Sequence, residues 1–100
     1  MSEQVNHPSH YCQEGKKECI EQMREDYRDL VTLIFCLTNA YKYLYRAGAK
    51  EGNSKEQDIA KAKWYYDYSK KLWFRTPDLV LARSIEFLTD YIKENLGENE

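Results

Sequence analysis

The sequence predicts an all-α fold: a small helical bundle with a central helical hairpin, preceded by an N-terminal loop. Three observations lead there. Apolar residues recur at threes and fours through Leu30, Leu33, Ile34, Leu37, Tyr41 and Leu44, the spacing of one helix face. Alternation with a period of two is nowhere sustained. Four glycines and two prolines in 100 residues are too few for the turns of an all-β domain.

The elements follow in order. Residues 1–17, MSEQVNHPSHYCQEGKK, have no helical apolar period and contain Pro8 and Gly15, so they read as a loop ahead of a single helical domain spanning 18–97. A first short helix is expected over Glu18–Glu25, with Cys19, Ile20 and Met23 inward. The second begins with Asp26 as N-cap and Asp29 in its positive first turn. It carries the Leu30–Leu44 stripe and stops at Gly48, a natural left-handed residue. Ser54 and Gln57 form a capping-box pattern that opens a third helix, expected over Lys55–Phe74. Its inward stripe is Ile59, Ala62, Tyr66 and Trp73, with parts of Tyr65 and Leu72. Thr76-Pro77-Asp78 opens a fourth, with Thr76 as N-cap, running to Leu96 and stopped by Gly97. Its stripe is Leu81, Ile85, Leu88 and Ile92, flanked by Val80, Phe87 and Tyr91. That coverage exceeds what a small monomer needs and predicts a homo-oligomer; the alternative is that the fourth helix closes the core of a monomer.

Composition narrows the function. Hydrophobic residues make up 42% of the chain, enough for one core, and the net charge of −2 disfavours a nucleic-acid-coating protein. The charge is uneven: residues 39–63 hold six cations and three anions. Cys12, Cys19 and Cys36 are an odd set, read as free thiols in a reducing cytoplasm. The longest apolar run, LVTLIFCLTNAY, is too short to span a membrane.

Asn39, Lys42 and Arg46 stand at i, i+3 and i+7, on one side of the second helix near its end. A hairpin brings Asp58 and Lys61 alongside, with Lys50 in the connection. Arginine grips a phosphate through two parallel hydrogen bonds, and lysine adds a point charge. The alternative is an ordinary helix end on which Arg46 pairs with Asp58. In the loop, His7, Ser9 and His10 can donate hydrogen bonds to an anion beside that face; the alternative is that Pro8 and Tyr11 pin the loop to the bundle while the histidines stay solvated. Two histidines three apart, followed by Cys12 and Cys19, lack the paired spacing of a zinc site, so no metal centre is expected. GAKEGNSK (48–55) is not a P-loop, because Asn53 follows Gly52 and a helix precedes it. KWYYDYSKKLWF (63–74) interleaves aromatics with lysines. Trp64, Tyr65 and Tyr68 are candidates for base stacking, and core packing is the competing reading. Glu18, Glu21 and Glu25 read as a solvated acidic face. No Ser-His-Asp or Cys-His arrangement is legible.

The motifs HPSHY, ECI, FCLTNAYKYLYRAGAK and DIAKAKWYYD, in that order, resemble the SaV-like family of small bacteriophage proteins over about Val5–Asp67. Thr38 stands where that family usually has glycine, which adds bulk beside Asn39. The resemblance implies an all-helical phage protein acting in the host-cell cytoplasm. Some relatives are described as nucleotide kinases that lack a P-loop and form large oligomers. It thus implies a nucleotide or other phosphate ligand at His7, Ser9, His10, Asn39, Lys42, Arg46, Lys50, Asp58 and Lys61, and magnesium on Asp58 if there is kinase activity. A further implied partner is a host abortive-infection defence protein, which would make the chain a non-enzymatic interaction protein.

Overall fold

The computed structural model describes residues 18–49, 52 and 54–98. The expected N-terminal loop with His7, Ser9, His10 and Cys12 lies outside these residues, as does Lys50. Three helices follow in order: α1 (Cys19–Tyr45), α2 (Lys55–Ser69) and α3 (Leu79–Leu96). No strand occurs among the described residues. The protein is all-α, with α1 packed along α2 as a hairpin and α3 laid mainly against α1. No described helix is long and apolar enough to cross a membrane.

The two helices expected over 18–48 are joined into α1, and the break falls at Arg28 rather than at Asp26. Arg28 has φ 72° and ψ −177°, a conformation open almost only to glycine. Asp26 is not a cap; it accepts a hydrogen bond from Gln22 Nε2 at 3.2 Å. The reason for a break is geometric. At 3.6 residues per turn, Ile20 in a straight helix would point about 140° away from Leu33, yet both are buried. Side chains hold the bend. Asp29 accepts from Arg24 Nε at 2.8 Å and from the Trp73 backbone N–H at 3.0 Å. These bonds, the Arg24 one foremost, hold the Asp29 carboxyl below its ordinary range. Thr32 Oγ1 donates to the Arg28 carbonyl at 2.8 Å. Replacing Arg28 by glycine is expected to raise stability by ~1 kcal/mol, relief of strain exceeding the added chain entropy. The check is a higher urea midpoint at unchanged slope.

The core is built on Leu33, Cys36, Leu37 and Ala40 of α1 against Ala62, Tyr65 and Tyr66 of α2, closed by Ile85 and Ile92 of α3. Met23 is half-buried, but Cys19, expected inward, is exposed. Burial pushes the Cys36 thiol up to about 12, so hardly any thiolate exists near pH 8. Alkylation of the native protein at that pH, mapped by mass spectrometry, should modify Cys19 and spare Cys36 until denaturant is added.

Gly48 adopts φ 78°, as a left-handed stop requires, three residues beyond the end of α1. The capping box of α2 is complete: Gln57 N donates to Ser54 Oγ at 3.0 Å and Ser54 N to Gln57 Oε1 at 3.3 Å. α2 stops at Ser69, five residues short of the expected Phe74. Its Oγ donates to the Tyr66 carbonyl, and the chain then turns out of the helix into a segment tied down by Asp29. Leu72 is buried, but Trp73, expected inward, is 70% exposed. The cap of α3 is Asp78, not Thr76. Its carboxylate accepts from Val80 N and Leu81 N at 3.0 and 3.1 Å, while Thr76 Oγ1 accepts from Asp78 N. An ionised acceptor serves the two free N–H groups better than a hydroxyl does. Gly97 closes α3 in the left-handed region, and Glu98 beyond it reaches Lys63 and Lys70 on α2.

Candidate anion-binding site

The last turns of α1 and the first turns of α2 meet at the ring of Tyr43. Lys42 Nζ lies 5.3 Å from its centroid, Arg46 Cζ 4.8 Å and Lys61 Nζ 5.5 Å. Each cation is attracted by the negative face of the ring, and together they concentrate positive charge at one place. The ring is anchored in turn. It stacks on buried Tyr65 at 6.0 Å and 13°, and Tyr65 meets Phe35 and Trp64 edge-on.

Asp58 sits beside this cluster and is fully buried. It occupies the same α2 row as Ala62, Tyr65, Tyr66 and Ser69, so the inward face of the helix carries it into the interior. Its Oδ1 is 4.0 Å from Arg46 Nε, an ion-pair contact too long for a hydrogen bond. Neither oxygen of Asp58, nor Arg46 Nε, has a hydrogen-bond partner among the described residues. Buried charged groups are normally satisfied, because leaving one without partners is costly. Arg46 thus pairs with Asp58 as an ion pair, as the plain helix-end reading expects, but without a hydrogen bond between them. The guanidinium is held at long range, its Nε without a hydrogen-bond partner among the described residues.

Of the candidate residues, the hairpin brings together Lys42, Arg46, Asp58 and Lys61. Asn39 is half-buried and donates from Nδ2 to the Phe35 carbonyl at 3.0 Å, so that end of the amide serves its own helix. Thr38 is exposed and turns its hydroxyl back onto the Ile34 and Phe35 carbonyls. His7, Ser9, His10 and Lys50 lie outside the described residues. Tyr43 was not expected to organise the site. Its position, next to Lys42 and one turn before Arg46, was the available signal. Tyr65 is core, and Trp64 packs against it and stacks on Tyr68 at 5.7 Å.

The described residues do not form a resident magnesium site. Asp58 already faces a guanidinium, and no group of three or more His, Cys, Asp or Glu suited to a metal occurs among the described residues. Magnesium prefers several oxygen ligands in octahedral array.

Fold and site define a small helical-hairpin protein with a basic, aromatic-centred face at one end. The chain matches the family described as a protein of unknown function, DUF3310, over residues 5–67, and belongs to that family. The match takes in α1, nearly all of α2 and the whole Tyr43 cluster, and stops before α3. No curated protein and no solved structure matches the chain.

Proposed function

We propose that the chain binds a phosphate-bearing anion over Tyr43, with Lys42, Arg46 and Lys61 as its cationic contacts. The observation that carries this reading is the convergence of three cations from two helices on one anchored ring. A phosphate oxygen can accept hydrogen bonds from the partly exposed Arg46 guanidinium. Asp58, behind Arg46, orients the guanidinium toward the ligand. Nucleotides are the preferred class, as the SaV-like resemblance suggests. On the same ground the chain is a small phage accessory protein that acts as an oligomer in the host cytoplasm.

The test is calorimetric titration with nucleoside mono- and triphosphates and with inorganic phosphate. Binding is expected for at least one nucleotide, and Lys61→Ala should weaken it about tenfold, the scale of one charge-assisted hydrogen bond. Absence of heat with every ligand sinks the reading.

A further inference from the structure

α3 lies beyond the family match and is apolar on two faces. One is buried: Ile85 and Ile92 enter the core. On the opposite side Val80 and Phe87 remain 76% and 68% exposed, in one row with exposed Arg83 and Asp90 at i, i+3, i+7 and i+10. Neither Arg83 nor Asp90 makes an ion pair among the described residues. Beside the row runs an open groove of about 410 Å³, floored by Phe74, Leu79 and Ile85, with Arg83 and Asp90 among its lining residues.

The order of charges selects the occupant. Arg83 and Asp90 stand equally far, about 5 Å along the helix, on either side of the midpoint next to Phe87. When two copies of α3 lie antiparallel about a two-fold axis there, each Arg83 faces the other copy's Asp90. Parallel alignment would instead oppose like charges. The same axis brings the two Phe87 side chains together at the centre of the contact. A row that is its own complement under a two-fold is what an isologous contact requires.

We infer that the outer face of α3 is a homodimer interface, in which two copies pair antiparallel through Phe87 and reciprocal Arg83–Asp90 contacts. It is independent of the Tyr43 site. Sedimentation of the full chain from micromolar to near-millimolar concentration should show a concentration-dependent dimer. Phe87→Glu, at a position too exposed to unsettle the fold, should leave a monomer with an unchanged circular dichroism spectrum. Arg83→Asp and Asp90→Arg should each weaken the dimer at least tenfold, as opposed like charges do, and the two together should restore it. Arg46→Ala should not alter it. A monomer throughout the range, as a surface reserved for a host protein would give, overturns the inference. So does a dimer indifferent to Phe87→Glu, or a double swap no better than its singles.

Discussion

Replacing Arg46 by alanine is expected to abolish nucleotide binding and to lower stability by about 3 kcal/mol. That is the low end of what removing one partner of a buried pair costs, because the Arg46 side chain keeps 27% of its exposure. The cost arises at Asp58. Its carboxylate is fully buried with no hydrogen-bond partner among the described residues, and Arg46 is the cation facing it. Two companion variants separate folding from binding. Arg46→Lys keeps the charge but loses the planar fork, so the fold should survive while affinity falls about tenfold or more. Adding Asp58→Asn to Arg46→Ala removes the stranded charge; stability should recover and binding should not. Such recovery is the non-additivity expected of two groups in contact. Urea denaturation and calorimetry on the same four proteins read both effects.

Ile92→Ala is expected to cost about 3 kcal/mol, because the side chain is completely buried and its removal leaves a cavity. In a domain of this size that corresponds to a fall in Tm of about 15 °C. Phe87→Ala, five residues earlier on the outer face, should change monomer stability by no more than about 0.5 kcal/mol. The contrast tests the seating of α3, which carries large apolar residues on both faces. If Phe87→Ala proved the costlier change in dilute solution, the helix would be rotated from the position described.

That ambiguity marks how far the sequence reaches. The Ser54–Gln57 box and the stop at Gly97 are local signals written in a few residues, and each is found where it was read; α1 ends three residues before Gly48, and Tyr41 of the apolar stripe is exposed. The end of α2 was not legible. Nothing in KKLWF forbids a helix; what ends it is the Trp73 N–H held by Asp29, a residue 44 positions earlier. The break in α1 has the same character, since it comes from the need to bury Ile20 and Leu33 together and not from a breaker residue. At the site, spacing correctly placed Lys42 and Arg46 beside Asp58 and Lys61. It could not show that Asp58 is fully buried, that Asn39 turns to its own helix, or that Tyr43 is the ring the cations share. Those are properties of the packed hairpin.

The most direct measurement is an amide chemical-shift map of the labelled protein titrated with a nucleoside mono- or triphosphate. Saturable shifts concentrated on Lys42, Tyr43, Arg46, Asp58 and Lys61, and absent in Arg46→Ala, are the predicted result. Spectra unchanged at millimolar nucleotide, or shifts confined to the outer face of α3, would contradict a phosphate site at Tyr43.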